Sequence, residues 1–237
     1  VMQTDAIVGD IVQAIDDAGF SENTLVVFTT DTGCSNAAGI DELEKKGHYP
    51  SAHLRGSKAD LWDGGHRIPF IVKWPGEVKP GSVSDQLICL TDLFATMTDL
   101  LGQKAPENGA EDSVSFLPAL YGKKIVSTRK GVIHHSISGH FAYRQGPWKL
   151  LLAKASGGWT SPREKQAPAG SSPGQLYNMS TDLGEKKNLF KEKPEMVASL
   201  LALLEKDIER GRSTKGPKSK NDLNDIKIWK SGQPKKK

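Results

Sequence analysis

Apolar residues near the start of the chain recur at helical spacing. Ile7, Ile11 and Ile15 lie four residues apart, which places them on one face of a helix. We predict a helix over residues 5–18, with Gly19 as its stop signal. This amphipathic pattern is already present at the first residues of the chain, so the natural N-terminus is expected to lie further upstream.

The next apolar segments are short and continuous, as in strands. Residues 25–28 read Leu-Val-Val-Phe, a pattern typical of a central strand buried on both faces. Residues 33–60 show little periodicity and many turn-forming residues, so we predict a long loop there. A second strand is predicted at residues 70–74, where Pro and Gly follow directly.

Helical spacing returns twice further along the chain. We predict a helix over residues 90–101, with Thr91 as its N-cap and Gly102 at its end. A second, strongly amphipathic helix should begin at Pro194 and end at Gly211. Between the two helices the spacing of short strand-like segments indicates a small antiparallel sheet. Those segments are residues 131–135, 141–144, 148–152 and 175–178.

The order of these elements defines a fold class and a division of the chain. We predict an α/β protein in which part of an α/β sheet with helices precedes a smaller α+β unit with an antiparallel sheet. The predicted units are the α/β part at residues 1–127, the sheet-and-helix subdomain at 128–211 and a basic tail at 212–237.

The positive charge of the chain is concentrated at its end. The formal net charge is +4, yet residues 213–237 contain eight lysines and two aspartates. The preceding part is therefore slightly acidic, and the charge gives no support for a nucleic-acid surface. We expect the tail to be solvated and disordered.

Cysteine content and hydropathy add little further. The two cysteines, Cys34 and Cys89, fit neither a disulfide framework nor a zinc motif, and we expect two unpaired, buried thiols. No apolar run approaches the roughly 20 residues of a membrane-spanning helix. The oligomeric state cannot be inferred from these features.

Potential chemistry first occurs where the first strand ends. Asp31 follows the apolar run almost directly, and ligands of open α/β sheets bind beyond the carboxyl ends of the strands. A carboxylate there could bind a hard cation such as calcium or magnesium. It could equally cap the following turn through its side chain.

The loop segment at residues 47–69 is rich in hydrogen-bond donors. It holds three histidines, two arginines and one lysine, a set suited to a tetrahedral oxyanion. The spacing of the three histidines fits no standard zinc pattern. A solvated basic loop is the alternative interpretation. The donors are His48, His53, Arg55, Lys58, His66 and Arg67.

Six segments, in order, resemble the sulfatase family. Residues 23–33, NTLVVFTTDTG, are similar to its NTLVIFTSDNG segment, and residues 55–69, RGSKADLWDGGHRIP, to its RGGK and W/YEGGxRVP segments. Shorter similarities lie at residues 91–96, 115–122, 144–150 and 175–189. Within the family the segments look most like bacterial arylsulfatase-type enzymes.

The resemblance implies an alkaline-phosphatase-like α/β fold, a calcium ion and a formylglycine nucleophile. It implies that Asp31 is a metal ligand, that Thr32 stands where the family usually has a ligating Asn, and that Lys58 contacts the sulfate. We expect substrate contacts from the nearby donors His48, His53, His66 and Arg67. The implied reaction is sulfate ester hydrolysis, which combines nucleophilic, metal and electrostatic catalysis. The implied location is periplasmic or extracellular.

The chain lacks the segment that should carry the nucleophile. Neither Cys34 nor Cys89 stands in a CxPSR-type sequence. We therefore expect the C-terminal half of a sulfatase, inactive by itself and poorly soluble because an isolated half-sheet exposes apolar surface. The expected substrate is a sulfated small molecule or polysaccharide. Alternatives are a phosphonate or phosphodiester hydrolase of the same superfamily and a noncatalytic relative that binds sulfated glycans.

Overall fold

The computed structural model describes residues 2–127 and 129–230. Its α-helices are α1 (Met2–Asp17), α2 (Ile40–Lys45), α3 (Asp63–His66), α4 (Asp92–Leu100), α5 (Leu117–Leu120) and α6 (Pro194–Arg210). Its strands are β1 (Val26–Thr29), β2 (Phe70–Lys73), β3 (Val132–His135), β4 (Phe141–Gln145), β5 (Trp148–Leu151) and β6 (Gln175–Asn178). Short 3₁₀ turns cover Ser21–Asn23, Asn36–Ala38 and Glu164–Gln166.

The two N-terminal strands form a sheet of their own. β1 and β2 pair antiparallel, with Val26 opposite Lys73 and Thr29 opposite Phe70. Both strands occur where they were predicted. The four residues of β1 are only half-buried, so the prediction of a strand buried on both faces is wrong for the described chain. The reason is that β1 has a single neighbour, β2, within the described residues.

Helix α1 is amphipathic as predicted, but its apolar face is incompletely covered. Val8, Val12 and Ile15 are half-buried. Ile7 and Ile11 keep 50% and 52% of their surface exposed. No residue of the helix reaches the interior, which means that α1 has too little of the described chain to pack against.

The predicted loop at residues 33–60 contains short helical segments. The 3₁₀ turn Asn36–Ala38 begins after Ser35, whose hydroxyl accepts a hydrogen bond from Ala37 N at 3.3 Å. Gly39 takes the left-handed conformation between this turn and α2. The loop prediction is therefore wrong over these residues, because elements this short show no measurable period in the sequence.

Helix α4 begins next to the predicted cap but is not capped by it. The Thr91 hydroxyl makes no capping hydrogen bond. The buried Asp92 carboxylate instead accepts from Cys89 N and Val114 N, both at 2.9 Å. It also pairs with Arg129 at 2.7 Å. The Ala95 N–H of the first helical turn donates instead to Ser113 Oγ at 2.9 Å, so a hydroxyl from a later segment replaces the local cap. The helix does end before Gly102, which has a φ of 65° as predicted.

The predicted antiparallel sheet is confirmed. β3, β4, β5 and β6 follow one another in sequence order, each paired antiparallel with the next. Helix α6 packs on one face and buries Leu200 and Leu204 completely. Burying such side chains stabilises a fold by about 1.5–3 kcal/mol each. The cluster comprises Phe141, Tyr143, Leu150, Leu152, Leu176, Val197, Leu200, Leu204 and Trp229.

The other face of this sheet is covered by the segment that precedes α3. Leu61 and Trp62 pack there against Leu151 and Tyr177, with at most 1% of each side chain exposed. The donor-rich segment of the sequence is thus anchored on the sheet of the C-terminal half. This packing fixes the position of the residues that follow.

The basic tail is partly folded. Arg212, Ser213 and Thr214 are buried, and Trp229 joins the core cluster with 9% of its surface exposed. The expectation of a disordered tail is wrong for these residues. Hydrogen bonds to Glu107, Glu111 and Asp112 hold residues 212–214, and the Trp229 indole packs into the core cluster. Residues 231–237 lie outside the described part, and the division of the chain into three units stays a prediction.

Two simpler expectations concern cysteines and membranes. Cys34 and Cys89 are both unpaired, as predicted, but each is only half-buried, so the expectation of buried thiols is wrong. Across the described ranges, no helix combines the length and apolarity needed to traverse a bilayer.

Candidate functional site

The loop after β1 and the donor-rich segment meet through their backbones. Lys58 N donates to Cys34 O at 2.8 Å, and Gly33 N donates to Gly65 O at 3.1 Å. The segment that follows Asp31 and the turn that holds Lys58 are therefore held side by side. These two segments are separate in the sequence, and the tertiary structure brings them together.

Glycines make this approach possible. A Cβ atom on Gly33 would lie 1.7 Å from Gly64 O, and one on Gly64 would lie 2.1 Å from Gly56 O. A Cβ on Gly65 would lie 2.6 Å from Ser57 O. Backbone atoms cannot move aside as a flexible side chain can, so only glycine fits at these positions.

Lys58 lies in a tight turn. Gly56 and Ala59 have φ angles of 78° and 84°, and the latter is uncommon for a residue with a Cβ. Asp60 N donates to Ser57 O at 3.1 Å and closes the turn. Lys58 itself is half-buried. A strained backbone at this point indicates that the surrounding contacts dictate where the turn lies.

Asp60, which sequence reasoning missed, supplies those contacts. Its carboxylate is fully buried and accepts from Ser57 N at 2.9 Å. It also accepts from Trp159 N at 2.8 Å and from Thr160 N at 3.0 Å. A buried carboxylate can remain stable when backbone N–H groups satisfy it. Asp60 thereby joins the Lys58 turn to the loop that precedes β6.

A buried group of charges anchors the start of α3. Lys149 Nζ lies 2.6 Å from Asp63 Oδ1 and 2.9 Å from Glu185 Oε1, and Lys149 has no exposed surface. The contact with Glu185 is an ion pair without hydrogen-bond alignment. Arg144 lies 3.7 Å from the second Asp63 oxygen. Buried charges need such partners, and the loss of one leaves the others uncompensated.

The two carboxylates in this group respond differently to burial. Burial acts to raise the pKa of Asp63, but Lys149 and Arg144 outweigh it and the pKa is lowered. For Glu185 burial prevails over Lys149, and its pKa is raised. Glu185 Oε2 also accepts from Asp63 N at 2.6 Å. The helix start is thus tied to the segment after β6 by both charge and hydrogen bonding.

Arg55 serves as an anchor for the same segment. Its guanidinium lies 3.7 Å from the centre of the Trp62 ring and donates to Glu185 O at 2.8 Å. Trp62 Nε1 donates to Gln175 Oε1 at 3.1 Å. Stacking and hydrogen bonds of this kind use the planar shape of arginine. This arginine of the donor-rich segment is therefore held by the protein itself.

His66 packs inward against a second histidine. The rings of His66 and His134 lie 4.3 Å apart. Burial, followed by the charge of Lys149, lowers the pKa of His66 to about 4, and burial also lowers that of His134 well below its ordinary value. Both rings are therefore neutral near pH 7. Within the described part of the chain, His66 Nε2 is buried without a hydrogen-bond partner.

The other predicted site residues surround this anchored segment in sequence, and most of them are open to solvent. Thr32 is half-buried, and its hydroxyl donates to Gly33 O at 3.3 Å. The exposed residues are Asp31, His48, His53 and Arg67. Whether they act together with Lys58 and His66 on one ligand stays a prediction.

The metal prediction can be compared with the ligands that the chain offers. Asp31 and Thr32 provide oxygen atoms of the kind that calcium prefers, but calcium takes six to eight of them. Over residues 2–127 and 129–230, no group of three or more His, Cys, Asp or Glu side chains is arranged to hold a metal ion. These residues fit part of a calcium site and would need further ligands.

Lys149 and Glu185 were also missed as parts of the site. Both lie in segments that the sequence analysis matched to the family, but no role was evident there. A lysine between Trp148 and Leu150 in a predicted strand is the one local signal, because a charge in an apolar strand often has a buried partner. Its partners, 86 residues away in the case of Asp63, have no local signal.

The sequence matches two family models. Residues 1–103 match the model described as Sulfatase. Residues 57–154 match the model described as N-sulphoglucosamine sulphohydrolase, C-terminal. The two matches overlap over residues 57–103, which include Lys58 and α3.

Named relatives are sulfatases. An N-acetylgalactosamine-6-O-sulfatase of Bacteroides thetaiotaomicron is 35% identical over 211 residues, which are 86% of this chain and 40% of the relative. Human arylsulfatase A is 32% identical over 80% of this chain and 38% of its own length. The chain spans about two fifths of the length of these relatives.

The fold of the chain is similar to that of a solved structure. That structure belongs to a Bacteroides thetaiotaomicron protein described in connection with the metabolism of multiple glycosaminoglycans. The two share 33% identity and a TM-score of 0.72 over 86% of this chain and 42% of the other. The chain belongs to the sulfatase family, and the predicted alkaline-phosphatase-like α/β class is confirmed.

Proposed function

We propose that this chain contributes the sulfate-binding half of a sulfate ester hydrolase. The observation that carries the proposal is the backbone contact between the Asp31 loop and the Lys58 turn, at Lys58 N and Cys34 O, 2.8 Å apart. In a sulfatase such an arrangement sets a carboxylate and an ammonium beside one tetrahedral anion. Family membership supports the type of reaction.

Lys58 has the central role in this proposal. Its ammonium would donate to the sulfate oxygens and stabilise the negative charge that grows as the ester bond breaks. His48, His53, His66 and Arg67 are the proposed further contacts of the substrate. A neutral histidine such as His66 can act as a hydrogen-bond donor or acceptor without repelling Lys58.

Asp31 and Thr32 are the proposed contribution of this chain to a calcium site. Their oxygen atoms fit a hard cation, and the remaining ligands would come from other residues of the protein. When bound, calcium would polarise the sulfate. The formylglycine nucleophile is likewise proposed to lie outside these 237 residues, since no CxPSR-type sequence occurs among them.

We propose a sulfated sugar as the substrate. One relative is named for 6-sulfated N-acetylgalactosamine, and a structural relative at 33% identity is described in connection with glycosaminoglycans. The specific sugar and the position of its sulfate are not part of the proposal, because these relatives share about a third of their residues with this chain. The protein is proposed to act outside the cytoplasm.

Binding by the purified chain tests the sulfate site. As a probe we choose N-acetylgalactosamine 6-sulfate, because one relative is named for it, and we expect it to bind more tightly than both N-acetylgalactosamine and its 6-phosphate in calorimetry. Lys58→Ala should weaken binding about tenfold or more, because a charge-assisted contact is lost. Lys187→Ala, a change at an exposed surface lysine, serves as the control. Equal affinity for the sulfate and the phosphate would favour a phosphoryl-transfer relative, and an unaffected Lys58→Ala would contradict the proposed site.

Turnover is a separate test. The purified chain should release no sulfate from 4-methylumbelliferyl sulfate, because it lacks the nucleophile motif. Measurable release that Lys58→Ala abolishes would show that the chain is catalytic by itself and would refute that part of the proposal.

A noncatalytic glycan-binding relative is the second proposal, and Thr32 favours it. A hydroxyl reaches less far than the amide usual at this position, and here it donates to Gly33 O at 3.3 Å. Calcium titration should then give no binding for the natural sequence and measurable binding for Thr32→Asn, in the longest available form of the protein. Tight calcium binding by the natural sequence would exclude this alternative.

A further inference from the structure

Asp60 is a buried carboxylate that the proposed reaction does not use. It has no exposed surface, and its three hydrogen bonds come from backbone N–H groups on two separate segments. One segment holds Ser57 and the other holds Trp159 and Thr160, about 100 residues later. A group that satisfies donors on both segments fixes their relative position.

The two segments also touch directly. A Cβ atom on Gly158 would lie 2.3 Å from Ala59 O and 2.6 Å from Asp60 Oδ1, so the backbones are packed without space for a side chain. Ser57 Oγ and Thr160 Oγ1 lie 2.9 Å apart. These contacts surround Lys58 on both sides in sequence and leave its turn little freedom to move.

We call the contact between residues 57–60 and residues 158–160 the joint. Trp159 has an unusual position in it. Its N–H is bound to Asp60 and its carbonyl accepts from Arg163 Nε at 3.0 Å, yet 42% of its surface is exposed. The backbone of Trp159 is thus fixed next to the Lys58 turn while its large apolar ring stays accessible. Exposed aromatic side chains on rigid backbones are typical of binding surfaces.

We propose that Asp60 is a positioning residue that fixes Lys58 against the 158–160 segment, and that Trp159 is a specificity-determining residue which packs on the sugar ring of a sulfated substrate. The inference rests on the proposed function, since it assumes a sulfated sugar at Lys58. It assigns the sulfate to Lys58 and the ring to Trp159, so the two contacts discriminate different parts of one ligand.

The first test needs no ligand. In Asp60→Asn the new amide group places its own N–H₂ against backbone donors, so one or two of the three hydrogen bonds are lost. We expect hydrogen exchange at the Trp159 and Thr160 amides to accelerate at least tenfold. The Lys58 side-chain NMR signals should shift as well. Signals of β3–β6 away from the joint should stay unchanged.

Asp207→Asn is the matched control. Asp207 is also a buried aspartate, but it accepts from Tyr143 Oη at 3.2 Å on the opposite side of the sheet. This variant should leave the Lys58 signals in place. If Asp60→Asn opens the 159–160 amides without moving Lys58, Asp60 is only structural and the positioning role is refuted.

The second test separates sulfate from sugar. Trp159→Ala should weaken binding of N-acetylgalactosamine 6-sulfate about tenfold, the loss expected for one aromatic contact. Binding of inorganic sulfate should be unchanged. Asp60→Asn should weaken the binding of both ligands. Equal loss for both ligands in Trp159→Ala, or no loss for either, would refute the role of Trp159.

The two proposals can fail independently. If neither ligand binds the natural sequence, the proposed function fails, while the shift of Lys58 in Asp60→Asn still tests the joint. Should Asp60→Asn not fold, Thr160→Val removes only the hydroxyl contact with Ser57. It should reproduce a smaller shift of the Lys58 signals and a two- to threefold loss of affinity, on the order of a weak hydrogen bond. An unmoved Lys58 signal would then count against the joint.

Discussion

The N-terminal α1, β1 and β2 differ sharply in packing from the C-terminal sheet with α6. The first group contains no fully buried residue, and Ile7, Ile11 and Ile71 are exposed. The second group buries both faces of its sheet, one under α6 and one under the segment around Trp62. Regular secondary structure thus forms in both regions, but only the second has a core.

This contrast indicates where the site gets its rigidity. The Lys58 turn and α3 follow the N-terminal strand β1 in sequence, yet their buried contacts are with the C-terminal sheet. The Asp31 loop, in contrast, is attached to them by two backbone hydrogen bonds and by a hydrogen bond from Ser57 Oγ to Asn36 Oδ1. The side of the site that is proposed to contact sulfate should be preorganised, and the proposed metal side should depend more on its surroundings.

The buried charge group should be the most sensitive point of the rigid region. Lys149→Met leaves Asp63 and Glu185 as uncompensated buried carboxylates and should lower the free energy of unfolding by about 3–5 kcal/mol. Urea denaturation measures this change. Lys187→Met breaks an exposed pair with Glu192 and should stay within about 1 kcal/mol. Equal changes in the free energy of unfolding would show that the buried charge group stabilises the fold no more than an exposed ion pair does.

Core truncations compare the two regions directly. Leu204→Ala removes a fully buried side chain on α6 and should lower the free energy of unfolding by about 2–5 kcal/mol. Ile11→Ala removes a side chain that is 52% exposed and should have an effect below about 1 kcal/mol. Thermal or urea unfolding of both variants gives the comparison. A larger effect of Ile11→Ala would mean that α1 belongs to the stable core.

Acid should weaken the contact between His66 on α3 and His134 on β3. Unfolded histidine binds a proton near pH 6.5, whereas His66 binds one only near pH 4. Between these values the unfolded state takes up more protons, so the free energy of unfolding falls as the pH drops, by up to about 3 kcal/mol.

Urea denaturation at several pH values measures this slope. His66→Gln should flatten it, while His48→Gln, at an exposed position, should leave it as it is. The difference between these variants isolates the histidine, because the raised pKa of Glu185 changes stability in the opposite direction. A slope unchanged in His66→Gln would contradict the assignment.

The apolar face of α1 should affect solubility more than stability. Ile7→Lys and Ile11→Lys together reduce exposed apolar surface, so the chain should reach a higher concentration before it aggregates. The free energy of unfolding should change by less than about 1 kcal/mol. Light scattering and urea titration measure the two quantities. A large loss of stability would show that these residues pack against something in solution.

Much of this architecture could be read from the sequence because it depends on local pattern. Periodicity gave α6 and the four strands of the sheet nearly residue by residue, and β6 matched its predicted range of 175–178. The helical turn Asn36–Ala38 and α2 are too short to show a period and were missed. Thr91 looked like a cap, but its hydroxyl makes no capping hydrogen bond, and Ser113 Oγ accepts from Ala95 N instead.

For the site, the family, the strand-end aspartate and the lysine of the donor-rich segment could be predicted from the sequence, because each depends on one continuous segment. The side chains that join these segments could not be predicted from the sequence. Arg55 and Glu185 are 130 residues apart, and Asp60 meets Trp159 across 99. Such pairings carry no local signal, since hydrogen bonds and ion pairs between distant segments form only once packing has excluded water around them. The tertiary structure alone therefore decided which side chains hold the Lys58 turn in place.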